Sequence, residues 1–530
     1  MLLHDLVETS GVVAATRSRK AKVAALAERL AQAEVDELPV VTAYLGGTIL
    51  QRRTGVGWRG LSSLPDPTDE PSVTVLEVHE ALERLAAMAG AGSQELRASG
   101  VRDLFARMTA HEQRWLRGVM TGNVRQGALD ALVQEAVAAA WGVKLTAVRR
   151  AAMLAGGTVP IVVAARTGGE DALAEIGLQV GRPVLPMLAS TAPDVAAAMT
   201  KAGGAPGTPV AVDTKLDGIR IQVHRRGDDI VVATRSLDDI TARLPEVVDV
   251  VRSLPGGDLV LDGEALALDD DGRPRPFQET ASRTAMEAGV AITPYFFDVL
   301  HADGRDLLDA PGTERLAVLD SVVPEQHRVP RLVTDDPEAA EAFAEDALAR
   351  GHEGVVVKSL SIGYAAGRRG SGWVKVKPVH TLDLVVLAVE WGSGRREGWL
   401  SNIHLGARDP DTGGFVMLGK TLQRSSSPIE WVPVGKTFKG MTDEMLKWQT
   451  QRFTELAIDP AGIHDHAVVQ VRPEQVVEIA FDGVQRSTRY PGGVALRFAR
   501  VLRYRDDKSP DEADTIDTLR SLLPRVEADD

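Results

Sequence analysis

The stretch PVAVDTKLDGIRIQVHRRGDDIVVATRS, residues 209–236, governs how the rest of the chain is read. Its start, 209–214, is an apolar strand; Ile219, Ile221 and Val223 then alternate with polar residues, and Gly227-Asp228 supplies a two-residue hairpin turn into a strand at 230–236. A turn centred between residues 227 and 228 places Arg220 directly opposite Arg235. Two like charges facing each other destabilise a sheet unless an anion lies between or above them, which points to a phosphate site. The alternative, of equal weight on this hairpin alone, is that both arginines splay into solvent.

Downstream strands repeat the design. Val260, Asp262 and Glu264 fall on one face and end in Asp-Gly-Glu, and acids beside a phosphate-binding face are natural partners for a ribose or for Mg²⁺. Glu353-Gly-Val-Val-Val-Lys358 comes next, then Trp373, Lys375 and Lys377 alternating with Val374 and Val376, so that both ammonium groups share a face with the valines behind them. Taken singly, each is an ordinary solvated strand edge; their order and spacing together are hard to explain as surface.

Length and composition bound the setting. At roughly 150 residues per domain, 530 residues suggest about three domains. From residue 1 to about 165 apolar residues recur at helical spacing (Val23, Leu26, Leu30; Leu129, Leu132, Val133, Ala136), interrupted by connections at 46–48 and 54–73. Beyond a boundary near 183 the period becomes two, with strands to about 378 and a helix at 337–350. Residues 383–505 read as a small strand-rich barrel. There is no cysteine, which excludes disulfides, Cys-ligated zinc, iron–sulfur clusters and a catalytic thiol. Asp5 and Glu8 sit where a signal peptide needs basic residues, and the apolar stretch between Arg150 and Arg166 holds Gly156, Gly157 and Pro160 and is too short to span a bilayer; a soluble chain with no membrane association is expected. The net charge of −14 argues against coating nucleic acid by bulk electrostatics, yet residues 1–183 balance 20 basic against 20 acidic side chains, leaving room for local basic surfaces such as Arg17-Ser-Arg19-Lys20 and Arg52-Arg53.

Two further patterns carry less. Gly414-Phe-Val-Met-Leu-Gly419-Lys420-Thr421 matches a phosphate-binding P-loop letter for letter, but its middle residues are strand-forming and Leu422–Pro428 make a poor helix ending in proline. His464-Asp465-His466 has the composition of a metal cluster without an evident third ligand segment.

The ordered motifs resemble those of the ATP-dependent DNA ligases, within the covalent nucleotidyltransferase superfamily. Lys215–Arg220 looks like KxDGxR, Thr234–Ser236 and Asp262–Glu264 like the next two motifs, and Phe296-Phe297-Asp298 like their aromatic companion. Glu353–Lys358 resembles EGxVxK, Trp373–Lys377 WxKxK, and Arg497-Phe498 through Asp507-Lys508 the last motif. The segment 104–140, with Arg125-Gln126-Gly127, is similar to the family's DNA-binding domain. Asp213 stands where the family usually has Glu, and Ala499 where it usually has Pro.

The resemblance implies a multidomain chain. Residues 1–183 would be an all-α DNA-binding domain, 184–378 an α+β nucleotidyltransferase core, and 379–530 a β-barrel OB-fold domain with an acidic tail. It implies an ATP-dependent enzyme that seals 3′-OH/5′-phosphate nicks in duplex DNA, as a cytoplasmic monomer, nucleoid-associated in a bacterium, serving replication, repair or recombination. RNA-joining or capping enzymes, and a DNA-binding relative with a dead core, are the alternatives. The cofactors are ATP and Mg²⁺. Lys215 would carry AMP. Asp213, Arg220, Arg235, Glu264, Phe297, Arg369, Lys375 and Lys377 would bind the nucleotide, with Phe297 stacking on adenine and Asp213 beside the base mainly through its backbone; Glu264 and Glu353 would hold metal. An ordinary lysine titrates near 10.4, so the cations around it serve twice, favouring the neutral amine and neutralising the triphosphate. The carboxy-terminal motif would close over the pocket, with Arg503 and Arg505 on one strand face and Arg500 on the other. Removing 1–183 is expected to weaken nick binding, by less as salt rises, and to leave self-adenylylation largely intact.

Overall fold

The computed structural model describes residues 1–523 apart from 52, 123, 125–129, 271, 276–279, 281–290, 366–368, 393–395, 397, 419–442, 465–467, 488–489 and 491. The chain divides into two compact units, Met1–Phe343 with Val356–Lys375, and Ala344–Val355 with Val376–Asp530. No single helix among the described residues is long and apolar enough to cross a membrane.

The first unit begins with helices α1 (Leu3–Ala15), α2 (Arg19–Gln32), α3 (Leu38–Leu45), α4 (Val75–Ala87), α5 (Ser93–Phe105), α6 (Ala110–Met120), α7 (Asp130–Trp141), α8 (Leu145–Ala155) and α9 (Val162–Ala174). Local chemistry sets several starts. Thr74 and Glu77 form a reciprocal capping box at α4, and Thr109 and Glu112 another at α6, each satisfying amides that the first turn leaves without carbonyl partners. Val78, Leu82 and Leu85 of α4 then lie on one face and join Leu6, Leu30, Tyr44, Phe105 and Leu116 in a single apolar core. The connections expected at 46–48 and 54–73 are the segments between α3 and α4, and helix continues to residue 174, past the expected 165.

Two sheets come after the helices. One has the order β1 (Leu188–Thr191), β10 (Arg369–Val376), β9 (Gly354–Lys358), β2 (Val210–Lys215), β8 (Arg331–Thr334). The other has the order β4 (Asp229–Thr234), β3 (Ile219–Arg226), β5 (Leu259–Ala267), β6 (Ile292–Ala302), β7 (Arg305–Asp306). The β3–β4 hairpin keeps the register read from the sequence, with Ile221 paired to Thr234 and Arg226 to Asp229 around Gly227-Asp228, and Gly227 takes φ +57°. Besides the anticipated helix α13 (Pro337–Ala349), the region holds α10 (Val195–Lys201), α11 (Pro245–Ser253) and α12 (Gly312–Val322). In sequence they pass for strand territory because they are short and, in α11, rich in valine; the four-residue spacing of buried Val247 and Val251 behind Pro245 is the helical signal.

In the second unit the described strands form an antiparallel sheet ordered β13 (Phe415–Leu418), β12 (Leu400–Arg408), β11 (His380–Trp391), β15 (Val476–Phe481), β18 (Arg500–Tyr504), with β14 (Val468–Gln470) on β11 and a separate hairpin β16 (Gly483–Arg486)–β17 (Val494–Arg497). No pairing among the described residues closes this sheet into a ring. Helices α14 (Asp443–Leu456) and α15 (Ile516–Ser521) pack Phe453, Leu456, Ile516 and Leu519 onto it.

Simple alternation fails in β18. Val501 pairs with Ile479 but Arg503 pairs with Glu478, so Leu502 is an extra residue at a bulge. Arg500 stands opposite Ala480 and Arg503 opposite Glu478, two residues apart on β15, so these arginines share a face. The expectation that Arg500 lies on the opposite face from Arg503 is thereby overturned.

Gly218 links β2 to β3 at the closest backbone approach near Lys215. A Cβ there would lie 2.4 Å from the Ala265 carbonyl oxygen and 3.0 Å from Glu264 Cγ. Gly218→Ala is therefore expected to lower stability by about 2 kcal/mol, read as a fall in Tm, because neither neighbour can retreat without breaking the β3–β5 ladder.

Candidate functional site

The ends of β2, β3 and β5, with β6 and β10, surround a cavity of about 250 Å³. Lys215 enters from the end of β2, and Arg220 and Glu264 enter as directly opposed residues of β3 and β5. Arg235, just past β4, together with Phe297, Trp373 and Lys375, completes the polar and aromatic lining, while Leu188, Ala189, Val329 and Val356 supply apolar wall. Seven of the residues expected from sequence thus converge: Asp213, Lys215, Arg220, Arg235, Glu264, Phe297 and Lys375.

Arg220 is held from three directions. Its Nε and Nη2 donate to Asp262 at 3.0 and 2.6 Å, a two-pronged carboxylate pair, and Nη1 donates to the Met187 carbonyl at 2.7 Å. The Tyr364 hydroxyl donates to the same Asp262 carboxylate at 2.6 Å and accepts from the Met187 amide at 2.9 Å. Burial, with Asp262 alongside, pushes the Tyr364 phenol well above its ordinary value, so it remains a donor. This corrects the reading of Arg220 and Arg235 as a pair that needs an intervening anion: a carboxylate of the protein neutralises Arg220, and Arg235 is exposed.

Below the cavity lies a second ionic group that the sequence reading did not single out. The Asp213 carboxylate pairs with Arg331 and, at 2.7 Å, with Lys358 Nζ. Burial pushes the Asp213 carboxyl up, but the two cations outweigh it and hold it below its ordinary value. Lys358 Nζ also sits 4.3 Å from the ring centres of both Phe297 and Trp373, a cation between two aromatic rings. Alternation along β9 was the available signal for Lys358, since Val355 and Val357 are fully buried while Val356 and Lys358 line the cavity. Arg331 carried no such signal, being brought alongside Asp213 by the antiparallel pairing of β8 with β2. Phe296, next to Phe297, points into the core and is fully buried.

Other expected residues lie elsewhere. Lys377 falls beyond the end of β10, and its ammonium is taken by Glu353 at 3.0 Å and by Asp482. Arg369 opens β10 across from Leu188. Arg503 pairs with Glu478, and Lys508 and Arg505 pair with Asp383. Residues 415–418 of the P-loop look-alike are strand β13, and 419–421 lie outside the described residues. His464 stacks on Trp391 at 5.1 Å, and Asp465 and His466 lie outside the described residues, as do Arg52 and Arg125–Gly127.

Three family descriptions match the chain: "DNA ligase N terminus" over 61–138, "ATP dependent DNA ligase domain" over 186–377 and "ATP dependent DNA ligase C terminal region" over 396–508. A "Probable DNA ligase" of Nocardioides sp. is 68% identical over 99% of both chains. Its namesake in Kineococcus radiotolerans is 63% identical over 98% of this chain and 100% of that one. The chain belongs to the ATP-dependent DNA ligase family. Its architecture is that of a multidomain ligase: a helical amino-terminal region, a nucleotidyltransferase core and a strand-rich carboxy-terminal region. The solved structure Pmar-Lig_Pre. shares the fold, with a TM-score of 0.60 at 17% identity over 94% of this chain and 99% of that one.

Among the cavity residues, Glu264 is a carboxyl whose protonation shifts upward on folding. Burial pushes its carboxyl up to about 7, against the pull of Lys215 and Arg220. A carboxyl raised on folding stabilises the protein most below its unfolded value of 4.5, and that contribution is lost as pH rises through about 7. Glu264→Gln should therefore gain stability over the native protein between those pH values, by on the order of 3 kcal/mol at the alkaline plateau. Melting curves of both proteins from pH 4 to 9 check this, and a difference independent of pH would contradict it.

Proposed function

We propose that this ligase seals 3′-OH/5′-phosphate nicks in duplex DNA, acting as a monomer through a lysyl-AMP intermediate on Lys215. The observation that carries the reading is the cavity itself. Lys215 stands at its wall, with the cations Arg220, Arg235 and Lys375 and the aromatic surface of Phe297 facing the same space. A triphosphate brings several negative charges, and the cations that line the cavity around one amine would hold its phosphates beside that amine.

In the first step the Lys215 amine, having lost its proton, attacks the α-phosphorus of ATP; an N–P bond forms and the bond to the pyrophosphate oxygen breaks. AMP then passes to the 5′-phosphate of the nick, and the 3′-OH displaces it while forming the phosphodiester. Phe297 offers its ring to adenine, and Glu264, opposite Arg220, is placed for the ribose or a metal. A carboxylate that burial leaves under-compensated, as the raised Glu264 is, suits a divalent cation, and Glu353 would be a second ligand. Mg²⁺ bound there would neutralise developing charge on the phosphates. Arg369 and Lys377 complete the phosphate contacts in this reading, with Lys377 exchanging its carboxylate partners for the nucleotide.

The organisation that goes with this function is a DNA-binding region at 1–183, a nucleotidyltransferase at 184–378 and an OB-fold at 379–530. Arg503 and Lys508 would trade Glu478 and Asp383 for the β- and γ-phosphates when the last motif closes over ATP, and the same region would face DNA in later steps. A role in replication, repair or recombination accords with nick sealing.

Incubation with labelled ATP and Mg²⁺ should attach AMP covalently to the native protein. Lys215→Ala should abolish the label and ATP-dependent sealing while retaining part of the joining of a pre-adenylated nick, and Lys420→Ala should label normally. A fully labelled Lys215→Ala protein would overturn the assignment.

A further inference from the structure

Helix α8 has two buried faces. Val148, Ala151 and Ala152 pack into the core of the helical region. The next two residues, Met153 and Leu154, are 5% and 1% exposed and belong instead to a cluster with Val184, Met187, Tyr364 and Trp373. Phe297 and Val356 pack against the same cluster, and with Trp373 they are cavity wall. One side of this apolar layer is the helical region and the other is the nucleotide cavity.

A backbone strap crosses the layer. The Leu185 amide donates to the Met153 carbonyl at 3.0 Å. Two residues on, Met187 accepts from Arg220 through its carbonyl and donates through its amide to Tyr364, and Leu188 and Ala189 then line the cavity. Pro183 and Pro186 restrict the strap, and Gln222 holds Val184 by both its amide and its carbonyl, at 2.8 and 3.1 Å. The end of α8 touches the site a second time. Gly156, just past the helix, approaches Leu237 so closely that a Cβ would lie 3.2 Å from Leu237 Cδ1, and Leu237 stands two residues after Arg235.

We propose that α8 positions the nucleotide cavity. Met153 and Leu154 are positioning residues: through the strap 184–189 they set Arg220 and the apolar wall, while Gly156 at the end of the same helix meets Leu237 in the loop bearing Arg235. The helical region, expected from sequence to serve DNA alone, then also governs ATP binding when no DNA is present. This rests on the reading of the cavity as the ATP site. Packed interiors transmit a lost methyl group as a shift of neighbouring atoms, and the neighbours here are the strap and the wall.

The test uses the full-length protein without DNA and measures the ATP concentration that half-saturates Lys215 labelling. Leu154→Ala should raise it roughly two- to thirtyfold, the range typical of coupling through packed side chains, with smaller rises in Met153→Ala and Leu154→Val. Leu30→Ala, which removes a fully buried side chain from the helical core away from this cluster, should lose heat stability with unchanged half-saturation. If Leu154→Ala does not fold, Met153→Ala and Leu154→Val decide by the same criterion. Native half-saturation in these variants, or an equal rise in Leu30→Ala, overturns the inference. A native protein that takes no label overturns the ATP reading itself, and the inference with it.

Discussion

The bidentate pair between Arg220 and Asp262 is the interaction on which the cavity depends, because it converts a buried cation from a liability into a fixed point. Asp262 is almost fully buried, and an isolated charge there would cost several kcal/mol. Sharing that carboxylate between a guanidinium and the Tyr364 hydroxyl satisfies both its oxygens. Met187 then joins its backbone to both donors' side chains. Four segments distant in sequence meet at this group, so the strap, β3, β5 and the approach to β10 are fixed relative to one another by directional bonds as well as apolar packing.

A second buried group has the same logic and a different outcome. Asp213, Arg331 and Lys358 carry two positive charges against one negative, and Lys358 rests between two aromatic rings whose faces favour a cation. The floor of the cavity is thus electropositive without exposing an unpaired ion to the interior. Glu264 is the counterpoint, a carboxyl whose burial is only partly offset by Lys215 and Arg220. A site lined by Lys215, Arg220, Arg235, Lys358 and Lys375 is suited to an anionic ligand, and much less to a neutral one.

Five basic residues of the second unit are paired with carboxylates. Arg500 and Lys377 converge on Asp482, Arg505 and Lys508 on Asp383, and Arg503 on Glu478. Arg503 is substantially solvated and Glu478 half-buried, and an ion pair with one exposed member is worth about 1 kcal/mol. The bulge at Leu502 gathers Arg500 and Arg503 on one face, a concentration of charge that strict alternation would have dispersed.

Much of this was legible in the chain. The hairpin at Gly227-Asp228 and the alternation of Phe296 with Phe297 come from a period of two and a turn that only certain residues adopt, which are local properties, whereas the gathering of Lys215, Arg220, Glu264 and Lys375 around one space was implied by the resemblance of their motifs to the ligase family. The helical character of the amino-terminal region was equally local, and the structure adds the capping boxes at Thr74 and Thr109. Partnerships were not. That Asp262 neutralises Arg220, that Arg331 reaches Asp213 across 118 residues, that Lys377 turns to Glu353 and Asp482, and that Met153 and Leu154 back the wall of the cavity all depend on which surfaces meet after folding. Sequence determined most of the elements and faces, though not the short helices α10, α11 and α12 or the bulged face of β18, because dihedral preferences and periodicity act over a few residues; tertiary structure decided the pairing of buried charges and the sharing of a core between regions, because those energies arise only once water has been excluded between distant segments.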